Sequence, residues 1–346
     1  MSMKVVLTVY LQVAGIAADT ARKALEHTGA EVVNIPAKTE DELIEAARDA
    51  DAIIVAIENY SRRVIENLDR CKVIATIGIG YDFIDVAAAT EHGIIIVNNW
   101  DYCIEEVSDH AASLLLASAR KILPLDKAVK AGRWDAPGRP KMHDEILPPV
   151  FRVRGQTLGL AGFGNTGYLL ATKLQGFGLK IIAHDPYVSH EVAAKANVQL
   201  VDFETLVKES DYISIHAALT DETRHMFGIE QFKKMKPTAY LINTARGGLI
   251  DEQALYTALS QGLLAGAALD PMDPEPVAPD NPLLKLDNVI LTSHMAYYSQ
   301  ESDHEVFLKP PQKIARVLSG EWPERLVNPQ VKENFIKRWG KEAIKG

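Results

Sequence analysis

Cysteine is nearly absent: Cys71 and Cys103 are the two in 346 residues. Two thiols without metal-ligand spacing make neither a disulfide framework nor a cysteine metal site, so both are expected to be reduced and partly buried. Long apolar runs are missing too. The longest, such as 114–119 and 157–163, fall far short of the ~20 residues a bilayer-spanning helix requires, and no membrane association is expected. There is no basic excess: 37 Lys and Arg stand against 46 Asp and Glu, a formal charge of −9. Without clustered cations the chain lacks the electrostatic footprint of a nucleic-acid binder. The opening MSMKVVLTVY enters a strand pattern without the charged, apolar and small-residue order of a secretion signal, so a cytoplasmic location is expected. Low-complexity tracts and repeats of 20 to 50 residues are likewise lacking.

What is present is a globular composition, 47% hydrophobic and 24% charged, long enough for about two domains of ~150 residues. Short apolar runs alternate with helical patterns, the signature of βαβ units around parallel sheets. A first series has strand-like runs at Lys4–Val9, Glu31–Ile35, Ala52–Ile57, Val73–Ile77 and Ile94–Asn98. Among its helical segments, DTARKALEHTG closes on Gly29 as a C-terminal cap should. A second series begins at Thr157 with TLGLAGFG and continues through LKIIAHD, DYISIHA, TAYLINTA, LAGAALD and DNVILTSH. IEEVSDHAASLLLASARKI and, after His294, YYSQESDHEVFLKPPQKIARVLSG are helical in pattern and are read as the crossings between two α/β units. Pro310 and Pro311 should kink or split the second crossing helix within two residues of Lys309. Segment 132–150, rich in Gly and Pro, reads as a loop.

Gly162-Phe163-Gly164-Asn165-Thr166-Gly167 follows the strand TLGLA and opens the helical YLLATKLQGFG. In that context the glycines serve a tight turn, close approach of backbone to a pyrophosphate, and packing of helix on strand. Asp185 stands 18 residues beyond Gly167 at the end of the next strand. There it can accept hydrogen bonds from ribose hydroxyls and repel the extra phosphate of NADP, so NAD is the expected cofactor.

Arg246 in LINTARGGLID, Glu275 in LDPMDPEP and His294 in ILTSHMA stand at or beyond the ends of later strands, where open α/β sheets bind ligands. Arginine offers a fork for a carboxylate, histidine a proton donor and acceptor near neutral pH, and glutamate a partner that fixes the imidazole tautomer. Taken singly, a loop ion pair, a solvated acid and a satisfied histidine are the plainer accounts. No metal site is expected.

Their order and spacing change that reading. ATIGIGYDFIDVAAATEHGIIIVN, EEVSDHAASLLLASARKI, LGLAGFGNTG, LINTARGGLIDEQAL, AALDPMDPEP and NVILTSHMA, in that order over roughly residues 40 to 330, resemble the D-isomer-specific 2-hydroxyacid dehydrogenases, within them the phosphoglycerate dehydrogenase and C-terminal-binding-protein branch. The resemblance implies two doubly wound parallel-sheet domains, a Rossmann dinucleotide domain (102–297) inserted into a flavodoxin-like substrate domain (1–101 and 298–346). It implies an active cleft at the hinge and a homodimer joined through the dinucleotide domains. Arg246 would hold the carboxylate and polarised oxygen of a small 2-oxo acid, His294 would exchange the proton, and Glu275 would hydrogen-bond His294. The loop of Gly78, Ile79 and Gly80 would offer backbone N–H groups to the substrate carboxylate. His216, Thr244 and Asp270 would join Gly162, Gly164, Asn165, Thr166, Gly167 and Asp185 around NAD.

The sequence departs from the family pattern at Ala217 and Ser293, where proline is common, and at Tyr297 and Tyr298, where the branch often has tryptophan. A formate dehydrogenase is disfavoured because that relative carries glutamine where Glu275 stands. An NAD(H)-sensing co-repressor of the same fold is the competing reading. Trp134, Tyr81, Tyr102, Tyr297 and Tyr298 are candidates for a substrate pocket or for packing. In the tail VKENFIKRWGKEAIKG, Val331, Phe335 and Trp339 form one apolar stripe four residues apart, expected to dock on its own domain.

Overall fold

The computed structural model describes residues 3–9, 14–134, 144–146 and 149–344. Two compact units divide the chain, one of residues 1–103 with 299–346, the other of residues 104–298. Most of the loop expected over 132–150 lies outside the described residues.

Five parallel strands form the first unit: β1 (Lys4–Leu7), β2 (Glu31–Asn34), β3 (Ala52–Val55), β4 (Val73–Thr76) and β5 (Ile95–Val97), in spatial order β2-β1-β3-β4-β5. The order reverses between β1 and β3, the flavodoxin-like winding. Strands β3 and β4 are buried throughout, which is why they read as continuous apolar runs rather than alternating ones. Local chemistry starts the helices. Thr39 accepts from the Glu42 N–H while the Glu42 carboxylate accepts from the Thr39 N–H, a capping box that begins the helix Glu40–Ala47. The helix Ala14–Leu25 tightens into a 3-10 turn that stops at Gly29, φ +67°. At the sheet edge Asn328 stands in for a neighbouring strand, accepting from Ile96 N–H and donating to Ile94 O, so β5 presents few unpaired groups.

The expected break near Lys309 does not occur: the helix Gln300–Leu318 runs through Pro310 and Pro311. The two rings remove donors that would reach the carbonyls of Val306 and Phe307, an interior penalty of about 3 kcal/mol each. Tertiary contacts override it. Both prolines are buried, Phe307, Ile314 and Ala315 enter the unit's core, and Lys309 and Lys313 pair with Asp101 on either side of the prolines. Beyond it, the helix Lys332–Trp339 follows Val331, and Val331 and Phe335 are fully buried in the same core with Trp339 packed beside them. Arg338 donates to the carbonyls of Leu68, Asp69 and His92, and the Trp339 indole donates to Gly93 O. The tail docks on its own unit.

The second unit has seven parallel strands: β6 (Thr157–Ala161), β7 (Lys180–His184), β8 (Gln199–Leu200), β9 (Tyr212–Ile215), β10 (Tyr240–Asn243), β11 (Gly266–Leu269) and β12 (Val289–Leu291). Their order is β12-β11-β10-β9-β6-β7-β8, reversing between β6 and β9 in the Rossmann manner. Successive residues serve opposite faces: Leu241 and Ala267 enter one core, Ile242 and Ala268 the other. The helix Ile104–Ala119 covers the second face with Ala111, Leu114 and Leu115. The two-residue β8 was not anticipated from sequence, being too short to carry periodicity. Among the described residues no helix is long and apolar enough to cross a membrane, and no cluster of His, Cys, Asp and Glu could hold a metal ion.

Candidate active site

In the second unit the sequence-predicted residues fall on one edge of the sheet. Gly162 follows β6, Asp185 follows β7, His216 follows β9, Thr244 and Arg246 follow β10, Asp270 follows β11, and His294 lies three residues past β12. All the strands are parallel, so these positions share the carboxyl end, the place where open α/β sheets hold ligands.

The glycine loop is built for close approach. Gly162 has φ +95°, and a Cβ there would lie 2.6 Å from the Ala217 nitrogen. At Gly164 a Cβ would meet nothing within 4 Å, leaving open space in front of the helix Asn165–Leu174. That helix has no side-chain cap, so its first N–H groups, including those of Asn165, Thr166 and Gly167, are available to an anion such as a pyrophosphate. Asp185 Oδ2 accepts from the Phe163 N–H at 2.8 Å and Oδ1 from the Tyr187 N–H at 2.9 Å. Each oxygen keeps an acceptor site, and the carboxylate also closes the glycine loop, a task the sequence did not reveal. Further along the edge, His216 Nε2 lies 2.9 Å from Ser214 Oγ, and burial pushes its pKa down to about 4, so the ring is neutral. Thr244 Oγ1 is buried and has no partner among the described residues. An open helix terminus, an acid at the strand end and an unpaired buried hydroxyl together fit a dinucleotide.

The polar trio is brought together. His294 Nδ1 and Glu275 Oε2 are 2.8 Å apart, both side chains partly exposed. Burial pulls the Glu275 pKa upward, but the hydrogen bond and charge of His294, the Met272 N–H and the charge of Arg246 outweigh it and leave the pKa lowered. Glu275 is therefore ionised at neutral pH, accepts the Nδ1 proton and leaves Nε2 to exchange one. Arg246 stands in extended backbone; its carbonyl accepts from Asn243 Nδ2 at 2.8 Å. A Cβ on the next residue, Gly247, would lie 2.2 Å from the Met272 carbonyl carbon, so only glycine lets the Arg246 loop lie against the segment leading to Glu275.

His294 itself has φ +55°, a left-handed conformation that costs a non-glycine residue about 1 kcal/mol or more. Asp270 holds it there. Its backbone carbonyl accepts from the His294 N–H (3.0 Å), Oδ1 from the Met295 N–H and Thr292 Oγ1, and Oδ2 from the Ala296 N–H. Thr292 Oγ1 in turn lies 3.1 Å from His110 Nε2. Sequence reasoning missed Thr292 and His110: each stands in a motif, NVILTSHMA and EEVSDHAASLLLASARKI respectively, but their contact across 182 residues is visible in neither. In the other unit, the N–H groups of Gly78, Ile79 and Gly80, just beyond β4, find no partner among the described residues, while the carbonyls of Ile77, Gly78 and Ile79 are all occupied. Among the aromatics, Tyr81 and Tyr102 pack against cores of their unit; Trp134 and Tyr298 are exposed, and Tyr297 meets Tyr298 edge-on at 6.3 Å.

Residues 112–296 match the family model for the D-isomer specific 2-hydroxyacid dehydrogenase, NAD binding domain. A glyoxylate reductase of Korarchaeum cryptofilum is 38% identical over 84% of this chain and 86% of its own length. A D-3-phosphoglycerate dehydrogenase of Methanocaldococcus jannaschii is 41% identical over 92% of this chain, which spans 60% of that relative. A solved structure of a Pyrococcus horikoshii protein superposes over the whole of both chains with TM-score 0.86 and 30% identity.

Proposed function

The chain belongs to the D-isomer-specific 2-hydroxyacid dehydrogenase family and carries its NAD-binding domain, and from that premise we propose that it interconverts a small 2-oxo acid and its D-2-hydroxy acid through a defined set of side chains. The observation that carries the proposal is the 2.8 Å pair of His294 and Glu275 with the Arg246 charge acting on the same carboxylate.

NADH, when bound, supplies the hydride that the substrate's carbonyl carbon accepts. His294 gives a proton from Nε2 to the carbonyl oxygen as that oxygen gains charge, while Nδ1 stays tied to Glu275, which holds the ring's orientation and stabilises its protonated form. In the reverse direction neutral His294 takes the hydroxyl proton. Arg246 binds the carboxylate and the developing oxyanion. The N–H groups of Gly78, Ile79 and Gly80, which find no partner among the described residues, bind the substrate carboxylate, as unpaired backbone donors suit an anion. Gly162, Gly164, Asn165, Thr166 and Gly167 hold the pyrophosphate, Asp185 the adenosine ribose, and His216, Thr244 and Asp270 line the rest of the dinucleotide site. Among 2-oxo acids, the relatives named glyoxylate reductases make glyoxylate the first to try.

A panel of glyoxylate, pyruvate, hydroxypyruvate, phenylpyruvate and a phosphorylated 2-oxo acid, read as NADH oxidation at 340 nm with chiral analysis of every product except glycolate, which has no stereocentre, tests this. Turnover with at least one to a D-product is the expected result. Failure with every acid, or an L-product, refutes it.

A further inference from the structure

In the loop after β4 three successive peptide carbonyls are each held by a hydrogen-bond donor. Ile77 O accepts from Asn99 Nδ2 at 3.0 Å, Gly78 O from Thr76 Oγ1 at 2.6 Å and Asn99 N–H at 3.0 Å, and Ile79 O from Asn98 Nδ2 at 2.7 Å. In a trans peptide the C=O and N–H point in opposite directions, so tying down each carbonyl turns the N–H of Gly78, Ile79 and Gly80 the other way. A donor on the carbonyl also polarises the same peptide and makes its N–H a better donor.

Asn98 and Asn99 directly follow β5, the strand paired with β4, and Asn99 is fully buried. An asparagine amide has two possible faces, and here a cation selects one. Lys313 Nζ, from the helix Gln300–Leu318, donates to Asn99 Oδ1 at 3.3 Å, to Asn98 O at 2.9 Å and to Asp101 Oδ1 at 3.0 Å. With Oδ1 facing an ammonium, the Asn99 NH2 must face Ile77 O. Desolvation lowers the Lys313 pKa in spite of Asp101, and the ammonium sits among carbonyl and carboxylate acceptors that compensate its burial.

We propose that Asn98, Asn99 and Lys313 are positioning residues for substrate: the two asparagines aim the N–H groups of Gly78, Ile79 and Gly80 at the substrate carboxylate, and Lys313 acts through Asn99. This rests on the reading above that the loop binds that carboxylate. It adds to that reading a dependence of carboxylate affinity on a lysine with no reacting partner. Carboxylate binding of this kind is made equally in ground and transition states, so its loss raises KM and leaves kcat in place.

The test compares wild type, Asn99→Ala, Lys313→Met and the double variant by KM and kcat for the best 2-oxo acid, Ki for oxamate as a carboxylate-bearing analogue, and Kd for NADH by fluorescence. Asn99→Ala is expected to raise KM and the oxamate Ki together by about five- to tenfold, from the net value of a hydrogen bond of about 1 kcal/mol or slightly more. Lys313→Met should raise both about threefold or more on the same basis, with kcat and NADH Kd within twofold of wild type. The double variant should match Asn99→Ala alone, because coupled residues are not additive. If Asn99→Ala does not fold, Lys313→Met carries the test. An unchanged KM and Ki in the single variants, a fall in kcat instead of a rise in KM, or fully multiplicative effects in the double variant overturns the proposal. A wild-type enzyme that reduces a 2-oxo acid but is indifferent to these variants fails the positioning role alone; a wild type that reduces none and binds no oxamate fails the reading beneath it as well.

Discussion

At His294 two demands meet in one residue: a left-handed backbone and a ring with one nitrogen tied to Glu275. The Asp270 clamp answers the first and Glu275 the second, so substitutions there separate chemistry from binding. His294→Ala should cost on the order of 10² to 10⁴ in kcat while leaving the NADH Kd nearly unchanged; single-turnover kinetics with fluorescence titration would show it, and a loss below tenfold would remove His294 from the proton step. Arg246→Ala should raise KM and lower kcat together, since the guanidinium meets both the carboxylate and the oxyanion. Asp185→Ser should weaken NADH by about tenfold or more, because charge-assisted hydrogen bonds are worth roughly 1.5 to 3 kcal/mol, and should narrow the gap to NADPH. Wild-type affinity for NADPH equal to that for NADH would contradict this role. The glycines, Asp185 and the trio were legible in sequence because each sits in a local motif at a strand end. Asn98, Asn99, Thr292 and Lys313 were not, since what they do depends on partners as much as 215 residues away, which no local pattern records.

Among elements, the helix Gln300–Leu318 shows where sequence reasoning weighed the wrong force. Two interior prolines predict a break from backbone chemistry alone, yet burial of the prolines and the Asp101 pairs keep one helix. The tail was read correctly because its stripe needs only helical spacing to be seen. Phe335 is fully buried between Trp322 and Trp339, with ring centroids 5.9 and 6.5 Å away. Phe335→Ala should therefore destabilise the first unit by about 3 to 5 kcal/mol, read as a lower urea midpoint, with NADH affinity kept by the second unit. A midpoint unmoved by the substitution would mean that the tail does not contribute to that core.

For the whole molecule, runs of apolar strands alternating with helices predict parallel sheets, the family resemblance supplies their winding, and that winding puts the functional residues of the second unit on one edge. Ile122, Leu123 and Val129 of the helix Ile122–Lys130, with Phe151, leave apolar side chains exposed on the second unit. We expect a homodimer through that unit, because exposed apolar patches mark association surfaces. Light scattering should give twice the 38.1 kDa chain mass, and Leu123→Arg should give the monomer; a wild-type monomer at micromolar concentration would contradict it. The account as a whole depends on proton transfer by His294 under the charge of Glu275, a carboxyl held below its ordinary range and so ionised above that range, its charge lost only as pH falls through the lowered value. The pH profile of kcat/KM for NADH-dependent reduction of the best 2-oxo acid, in wild type and Glu275→Gln, tests it most directly. With Glu275 charged, reduction by wild type should hold as pH falls into the ordinary carboxyl range and weaken only as the lowered value is passed, whereas Glu275→Gln, with no charge to lose, should be slower throughout and lack that acid limb. Superimposable profiles for the two proteins would contradict the account.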